Sequence, residues 1–397
     1  MFQRATVIII FFITFGILCI LVWEFPPFGG LKLIYVSNDT FTFQQEKAVS
    51  LPSAVPVKDI ERPKNLIVFI ADGMGFAHLS LARAIHDNPA SQPVWDRFTT
   101  VGWHRPHPNR GFLTDSAASS TALGTGVSTQ NGSVGVDAEG KAVTNLFESA
   151  GKHGYRTGVV TDSYIWDATP ASFVTHSVSR SNAAEILEQM AGSSLEILFG
   201  EYNGGDADHI PDRERTIKLL EKRFMILGVD LDGGQKTVDN YNSSKPVAAI
   251  FKEEQITDLQ SQPTLVKMVK FSLERLSSDE RPFLLLVESQ EPDLASHEQN
   301  TTRLAQGLKS IEYSLNIILD FAEKHKDTLV IFTSDHETGG LVLVNEDGNN
   351  QKIRPLWATD GHSGSVVPIM AFGHGSERFS VIHTNQGVGQ LLLSMIQ

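Results

Sequence analysis

Residues 66–70 read LIVFI, a continuous run of β-branched, aliphatic and aromatic side chains between Pro63 and the turn pair Asp72-Gly73. Such a run, bounded by turn residues, is typical of a strand buried on both faces of a sheet. Comparable runs recur further along the chain, at 158–161, 283–287 and 329–332. Helical periodicity separates the last two runs, and strands that alternate with helices predict an α/β fold. We therefore expect a mostly parallel central sheet with helices on both faces.

The overall composition excludes several classes of protein. Hydrophobic residues make up 41% of the 397 residues and charged residues 20%, as in a globular protein with a large core. Lys and Arg number 33 against 46 Asp and Glu, a net charge of −13, so the chain lacks the basic surface that a specific nucleic-acid partner requires. The single cysteine, Cys19, excludes an intrachain disulfide and a cysteine-rich zinc cluster.

The N-terminal segment, residues 1–23, predicts a signal anchor with a transmembrane helix. Residues 7–23 carry no charged side chain, and a helix of that length is about 25 Å long, near the lower limit for spanning a bilayer. A cleaved signal is the alternative, but residues 23–27 (WEFPP) offer no small-x-small cleavage site. Arg4 precedes the run and Glu24 follows it, which predicts that the bulk of the chain is extracytoplasmic, in the periplasm or on the cell surface.

The rest of the chain divides into two predicted parts. Residues 24–63 are rich in Pro, Ser and other polar residues and predict a linker or stalk. Residues 64–397 form the predicted folded domain. Within that domain, the stretch from about 185–270 is rich in charged residues and has no obvious buried strand. This pattern predicts a helical insertion over the sheet.

Polar residues follow each of the predicted strands. Asp72 comes after the first strand, residues 161–169 after the second, residues 288–297 after the third, and Asp335-His336 after the fourth. In an open α/β sheet the ligand site lies outside the carboxyl ends of the strands. Carboxylates and imidazoles without cysteine favour Mg²⁺ and Zn²⁺ as the bound metals.

Six segments of the chain resemble, in the same order, the nucleophile and metal motifs of the alkaline phosphatase family. They are residues 72–75 (DGMG), 114–122 (TDSAASSTA), 167–170 (DATP), the spacing of Glu288, Asp293 and His297, and residues 333–340 (TSDHETGG) and 361–365 (GHSGS). Taken alone, Asp72 could be a helix N-cap and Ser116 a close-packed small residue. The resemblance extends from Asn65 to the C-terminus, and it implies the α/β fold of that family.

The resemblance implies two Zn²⁺ ions and one Mg²⁺ ion. The implied ligands of the first zinc are Asp293, His297 and His362. The implied ligands of the second zinc are Asp72, Asp335 and His336, with Ser116 at its open position. The implied ligands of the magnesium are Asp72, Thr169 and Glu288, with Asp167 reaching the waters of that ion.

The reaction that the resemblance implies is the hydrolysis of phosphate monoesters through a phosphoserine. Ser116 is the implied nucleophile, because coordination to zinc makes a serine alkoxide accessible without a histidine base. Arg180 lies at the spacing of the family's phosphate-binding arginine, and its planar guanidinium suits two phosphate oxygens. Asp115, which precedes the implied nucleophile, is assigned with Arg180 to substrate binding.

Other functions compete with this interpretation. Two are enzymatic, namely a phosphodiesterase or a sulfatase of the same superfamily, and the third is a non-catalytic metal- or phosphate-binding surface protein. A sulfatase needs a modifiable Cys or Ser in a different motif. A non-catalytic protein predicts the loss of at least one metal ligand, whereas all the implied ligands are present.

Two features depart from the family's pattern. Leu294 follows Asp293, where many members carry a basic or aromatic residue that contacts phosphate through water. Because leucine cannot donate a hydrogen bond, we expect product phosphate to be held less tightly. The segment between His336 and His362 is short, whereas relatives often carry an elaborated region near a dimer interface there. The sequence therefore does not decide whether the protein forms a homodimer.

Overall fold

The structure is a computed structural model that describes residues 19–22, 32–35, 62–86, 92–202, 213–227, 245–253, 256, 264–346 and 349–396. The chain divides into two units, Met1–Lys47 and Ala48–Gln397. In the first unit the described residues form strands β1 (Cys19–Val22) and β2 (Lys32–Tyr35). The two strands pair antiparallel, with Cys19 opposite Tyr35.

The predicted transmembrane helix over residues 7–23 does not appear in the described residues. Cys19–Val22 is a strand instead, and the rest of the predicted helix lies outside the described residues. The length of the apolar run favoured a helix, and the sequence does not reveal the pairing of Cys19–Val22 with Lys32–Tyr35 that forms the strand. Among the residues that the structure describes, no helix combines the length and the hydropathy needed to cross a membrane.

The second unit is built on a sheet of nine strands, counted over the described residues. In chain order, the strands of this unit are β3 (Asn65–Ala71), β4 (Thr100–His104), β5 (Arg156–Tyr164), β6 (Ile197–Tyr202), β7 (Met225–Leu227), β8 (Val247–Lys252), β9 (Phe283–Ser289), β10 (Thr328–Thr333), β11 (Glu337–Thr338), β12 (Val342–Glu346), β13 (Asn349–Leu356), β14 (His362–Ser363) and β15 (Val367–Gly373). The large sheet has the order β4-β15-β10-β3-β9-β5-β6-β8-β7. The pairs β11-β14 and β12-β13 form two small separate sheets.

The strands from β10 to β7 in this order all pair in parallel, and β15 pairs antiparallel with both β10 and β4. The sheet is therefore mostly parallel, as predicted. The apolar run at 66–70 lies in β3, between β10 and β9. Three of the four predicted strand runs are thus neighbours at the centre of the sheet, and the run at 158–161 lies in β5, next to β9.

Helices cover both faces of the sheet, which confirms the predicted layering. The helices are α1 (Phe76–Ala84), α2 (Ser116–Thr125), α3 (Leu146–Lys152), α4 (Ala168–Val174), α5 (Ala183–Gly192), α6 (Arg213–Glu221), α7 (Leu265–Leu276), α8 (Glu291–His297), α9 (Thr301–Lys324) and α10 (Asn385–Ile396). Leu66, Val68 and Ile70 belong to one apolar cluster, and Ile67 and Phe69 belong to another. Successive side chains of a strand point to opposite faces, so each face of β3 has its own core. Apolar residues of α3, α4, α5 and α10 pack in the first cluster, and those of α1, α7 and α9 in the second.

The predicted helical insertion over 185–270 is wrong in one respect. Strands β6, β7 and β8 lie in this region and extend the sheet beyond β5. Residues 197–202 (ILFGEY) and 247–252 (VAAIFK) mix apolar residues with Gly, Ala and charged residues, so neither has the continuous branched pattern of β3. Strand β6 pairs with β5 and β8 pairs with β6, and this pairing is not visible in a local pattern. The linker predicted over 24–63 lies almost entirely outside the described residues.

Close packing holds helix α2 in place. All ten of its residues are buried, and most of them are Ala, Ser, Thr or Gly. A Cβ atom at Gly389 of α10 would lie 2.1 Å from the carbonyl oxygen of Ala122, so only glycine allows this approach of the two helices. The position of Ser116, the first residue of α2, therefore depends on small residues across the helix interface.

Candidate active site

Polar side chains converge where four neighbouring parallel strands end. Asp72 directly follows β3, and Glu288 is the penultimate residue of β9. Asp335 and His336 follow β10, and Asp167 follows β5 as the N-cap of α4. Since β10, β3, β9 and β5 are adjacent and parallel, their carboxyl ends lie at one edge of the sheet. The structure thus brings together the side chains that the sequence predicts there.

The first cluster consists of Asp293, His297 and His362. Asp293 and His297 lie one turn apart on α8, with His297 Nε2 3.4 Å from Asp293 Oδ2, and His362 Nε2 lies 3.8 Å from Asp293 Oδ1. The potential ligand atoms of the three residues are all within 4.8 Å of one another. These three residues could hold a metal ion, and their assignment to zinc stays a prediction.

Backbone carbonyls orient both histidines of the first cluster. Nδ1 of His297 lies 2.5 Å from the carbonyl oxygen of Asp360, and Nδ1 of His362 lies 2.8 Å from that of Thr114. A carbonyl oxygen only accepts hydrogen bonds, so each Nδ1 carries the proton and donates it. Nε2 of each ring then faces the cluster, so its lone pair is directed there when the ring is neutral, as in histidines that bind metals.

Charges within the first cluster are strongly coupled. The hydrogen bond to Asp293 raises the pKa of His297 to about 9. Burial acts to raise the pKa of Asp293, but its hydrogen bonds with His297 and Thr338 and the charge of His336 outweigh burial and hold that pKa below its usual range. Without another cation, the aspartate therefore retains a proton on His297. A metal ion would have to displace that proton to use His297 as a ligand.

The second cluster consists of Asp72, Asp335, His336 and Ser116. His336 Nε2 lies 3.3 Å from Asp72 Oδ1, 3.4 Å from Asp335 Oδ2 and 3.2 Å from Ser116 Oγ. Asp72, Asp335 and His336 are at most 5% exposed. Asp293 also approaches, because its ligand atoms lie within 4.8 Å of those of Asp72 and His336. The first and second clusters therefore form one continuous centre.

The third group surrounds Glu288. Thr161 Oγ1 donates a 2.6 Å hydrogen bond to Glu288 Oε2, and the nearby Thr169 hydroxyl acts with it to lower the pKa of Glu288. The Thr169 hydroxyl lies 3.2 Å from the Ser120 hydroxyl. Asp167 does not contact Glu288 directly but contributes to its electrostatic environment. The predicted role of Asp167 toward the waters of a magnesium ion stays a prediction.

Three buried carboxylate oxygens without hydrogen-bond partners among the described residues indicate whether divalent metals fit this site. Asp72 Oδ1, Glu288 Oε1 and Asp335 Oδ2 are buried and have no hydrogen-bond partner among the described residues. Burial raises the pKa of Asp72 well above its usual range, and the charges of Asp335 and Asp293 raise it further. Burial and the charge of Asp167 likewise raise the pKa of Glu288. Buried oxygens that lack partners and repel one another are the donors that Mg²⁺ and Zn²⁺ satisfy, so the residues fit these ions.

The two remaining predicted residues are Asp115, at the N-terminus of α2, and Arg180, which contacts the N-cap residue of α4. Asp115 is the N-cap of α2, and its two oxygens accept hydrogen bonds from the backbone N–H groups of Ala118 (2.9 Å) and Gly132 (2.7 Å). Asp115, which the sequence assigns to substrate binding, thus caps helix α2 in the structure. Its assignment to substrate binding stays a prediction. Arg180 Nη2 donates a 2.7 Å hydrogen bond to Asp167 Oδ1, and its side chain is 34% exposed. The arginine is therefore held at the third group and is still accessible.

Asp72 is not a helix N-cap, since Gly75 occupies that position of α1. Thr169 is the second residue of α4, whose N-cap is Asp167, so it does not cap that helix either. The capping explanation that Asp72 allowed in isolation is thereby excluded.

A buried network behind the site was not predicted from the sequence. Asp162 Oδ2 accepts a 2.6 Å hydrogen bond from Ser289 Oγ, and Asp162 Oδ1 accepts a 2.7 Å bond from the backbone N–H of Gln290. Ser163 Oγ donates to Asp167 and to Gln290 Oε1. Burial and the charge of Glu291 raise the pKa of Asp162 to about 7. Only the polar tripeptide 161–163 at the end of an apolar run could have pointed to this network.

The chain resembles known proteins in both sequence and structure. A family model described as "Alkaline phosphatase" matches residues 63–202 and 230–353. Alkaline phosphatase 4 of Bacillus subtilis is 31% identical over 309 residues, which cover 74% of this chain and 65% of that protein. Alkaline phosphatase 3 of the same organism is 31% identical over 331 residues, covering 79% of this chain and 70% of that protein. The match thus spans about two thirds of the length of these two relatives.

Solved structures give the same result for the fold. The alkaline phosphatase from the Antarctic bacterium TAB5 superposes with a TM-score of 0.74 at 27% identity, covering 85% of this chain and 99% of that one. A variant of the TAB5 enzyme with Mg bound in its M3 site superposes with a TM-score of 0.74 at 28% identity, with the same coverage.

We expect Asp162→Asn to change how stability depends on pH. A folded-state pKa near 7, raised from the usual 3.8, means that Asp162 contributes stability below about pH 4 and loses it as the pH rises to about 7. Asparagine keeps the shape and cannot ionise. The variant should therefore gain stability relative to wild type across this window, by on the order of a few kcal/mol. Parallel melting-temperature curves from pH 4 to 8, measured with chelator present, would contradict this expectation.

Proposed function

The chain belongs to the alkaline phosphatase family, and we propose that it hydrolyses phosphate monoesters to an alcohol and inorganic phosphate. The observation that carries the proposal is the position of Ser116 Oγ, 3.2 Å from His336 Nε2 and next to buried carboxylates with unpaired oxygens. A hydroxyl at such a centre is suited to attack phosphorus. A phosphodiesterase, a sulfatase and a non-catalytic binding protein are the alternatives that the experiments below distinguish.

The proposed cofactors are two Zn²⁺ ions and one Mg²⁺ ion. Asp293, His297 and His362 would hold one zinc, Asp72, Asp335 and His336 the other, and Asp72, Thr169 and Glu288 the magnesium, near Asp167. The donor sets support this division, because the first two contain histidine and the third contains only oxygen. The magnesium in the variant TAB5 enzyme supports it as well. The chemistry that bound zinc supplies is a lowered pKa of hydroxyl and water ligands and the stabilisation of a leaving oxygen.

In the proposed reaction, a bond forms between Ser116 Oγ and phosphorus while the bond from phosphorus to the ester oxygen breaks. The ester oxygen leaves as the alcohol, and Ser116 carries the phosphoryl group. Water then attacks phosphorus, restores the serine hydroxyl and releases inorganic phosphate. Because Ser116 is the first residue of α2, the positive end of the helix dipole faces the phosphoryl group in both steps.

Arg180 is the proposed phosphate-binding residue. Nη2 of Arg180 donates a hydrogen bond to Asp167 that orients the guanidinium at the site. The backbone N–H of Arg180 donates a 2.7 Å hydrogen bond to the carbonyl oxygen of Gly132. Asp115 also bonds to Gly132, so the cap of the nucleophile helix and the arginine share one loop. This linkage supports a site in which the nucleophile and the phosphate-binding side chain keep a constant separation.

We expect Ser116→Ala to abolish turnover of a chromogenic phosphomonoester, with a loss of at least about a thousandfold, because the group that forms the covalent bond is gone. In the wild type, acid quenching during turnover followed by peptide mass spectrometry should place phosphate on Ser116. Ser128→Ala, which changes a half-buried serine just beyond α2, is the control and should keep both signals. A wild-type rate in Ser116→Ala would show direct attack by water instead.

Arg180→Ala should separate monoester from diester hydrolysis. Each charge-assisted hydrogen bond to a phosphate oxygen is worth roughly 1.5–3 kcal/mol, so we expect a loss of about tenfold to several-thousandfold in kcat/KM for a phosphomonoester. A diester has one negative charge and an organic group where the arginine would bind, so it should lose much less. Arg180→Lys keeps the charge and tests the bidentate geometry. Equal losses on a monoester, a diester and a sulfate ester would assign Arg180 to structural support.

We also propose that the N-terminal segment remains attached and holds the domain at a membrane, outside the cytoplasm. The absence of charge over residues 7–23 and the lack of a cleavage site support attachment to the membrane, and Arg4 before the run with Glu24 after it supports the location outside the cytoplasm. Peptide mapping of the membrane fraction should recover residues 1–23 linked to the chain. A mature N-terminus between residues 24 and 50 would show cleavage.

A further inference from the structure

Helix α8 carries two of the three side chains of the first cluster, yet it has little stability of its own. It is seven residues long, and its N-cap residue, Gln290, makes no side-chain capping bond. Helices of two turns are not stable in isolation, so contacts with neighbouring elements must determine where α8 lies. The third side chain, His362, comes from β14. The geometry of the cluster therefore depends on what holds α8.

One guanidinium contacts both ends of α8. Arg303, in the first turn of α9, donates from Nε (2.9 Å) and Nη2 (2.8 Å) to the two oxygens of Glu291, the first residue of α8. Nη1 of Arg303 donates a 2.9 Å hydrogen bond to Glu298, the C-cap of α8. Asp293 and His297 lie between these two contacts. Arg303 thus spans the segment that carries them.

The two contacts differ in strength. The side chain of Glu291 is 4% exposed and that of Arg303 is 17% exposed, whereas that of Glu298 is 47% exposed. A bidentate pair with a buried carboxylate is geometrically specific and is strongly perturbed when one partner is changed. An exposed contact contributes little. The Glu291 contact should therefore determine the position of α8.

The turn between α8 and α9 supports this contact. Gln299 has a φ of 53°, the left-handed region, and the backbone N–H of Asn300 donates a 2.7 Å bond to the carbonyl of Ala295. One turn beyond Arg303, a Cβ atom at Gly307 would lie 2.6 Å from the Cβ atom of Glu291. The absence of a side chain at Gly307 thus allows Glu291 to approach α9 closely enough to meet Arg303.

We propose that Arg303 is a positioning residue for the first cluster, which sets the affinity of Asp293, His297 and His362 for zinc through its contact with Glu291. This inference rests on the proposed function only in taking the metal to be zinc. Arg303 acts through α8, because its side-chain hydrogen bonds to Glu291 and Glu298 flank the turn that carries Asp293 and His297. Asp72 and Asp335 follow strands of the sheet, so their cluster should respond much less.

The test is Arg303→Lys in the full chain loaded with zinc. Lysine keeps the charge but cannot make the bidentate contact. Protein equilibrated in zinc buffers of decreasing free concentration is separated and its bound zinc is counted by elemental analysis. We expect one zinc per chain to need about 10–100-fold more free Zn²⁺ for half occupancy, while the other zinc is retained as in wild type.

Arg97→Lys is the matched control. Arg97 contacts Asp320 and Glu323 near the other end of α9, and both partners are exposed, so the same change there should leave both zinc affinities unaltered. Gly307→Ala is a second variant that displaces Glu291 and should cause the same loss of one zinc. Glu298→Gln removes only the exposed contact and should have little effect.

Unchanged zinc retention in both Arg303→Lys and Gly307→Ala would overturn the inference, as would equal weakening of both zincs. If Arg303→Lys does not fold, the inference is tested by comparing zinc retention in Gly307→Ala with zinc retention in Glu298→Gln. Zinc retention is measured without substrate, so its outcome is independent of activity. A wild-type chain that binds zinc at the first cluster but does not hydrolyse a phosphomonoester would refute the proposed function and leave this inference standing.

Discussion

Three carboxylates buried side by side are the constraint on which the rest of the site depends. Asp72, Glu288 and Asp335 are each at most 5% exposed, and each has an oxygen without a hydrogen-bond partner among the described residues. Burial of like charges is unfavourable, and the raised pKa values of Asp72 and Glu288 are its direct consequence. Divalent cations remove this conflict, so metal binding and the stability of the domain should be coupled.

The surrounding structure holds the ligands so that a cation can use them. Backbone carbonyls orient His297 and His362, Thr161 orients Glu288, and the small residues of α2 hold Ser116 at the same edge of the sheet. These supports come from different elements, and most of them are hydrogen bonds to groups of fixed geometry. The chemistry thus depends on a rigid frame around the ligands as much as on the ligands themselves.

Much of the fold could be predicted because its central strands are buried on both faces. The runs at 66–70, 283–287 and 329–332 became neighbouring strands for that reason. Strands β6 and β8 were missed, since Gly, Ala and charged residues interrupt their apolar pattern and their burial comes from neighbours in the sheet. The apolar N-terminal run was predicted as a helix from its length, whereas its described part, Cys19–Val22, pairs with Lys32–Tyr35, a contact that no local pattern records.

The sequence by itself determined which donor groups the site contains and their order along the chain, because ordered motifs of Asp, His, Thr and Ser are readable without any contact. Only the tertiary structure decided which atoms meet. Ser116 and His336 are 220 residues apart, and Asp162 and Ser289 are 127 apart, yet each pair is in hydrogen-bonding contact. The capping role of Asp115 and the contact of Arg303 with Glu291 also emerged only from the fold. The physical reason is that the strand order β10-β3-β9-β5 determines which chain segments become neighbours, and that order depends on packing between distant segments that no local pattern records.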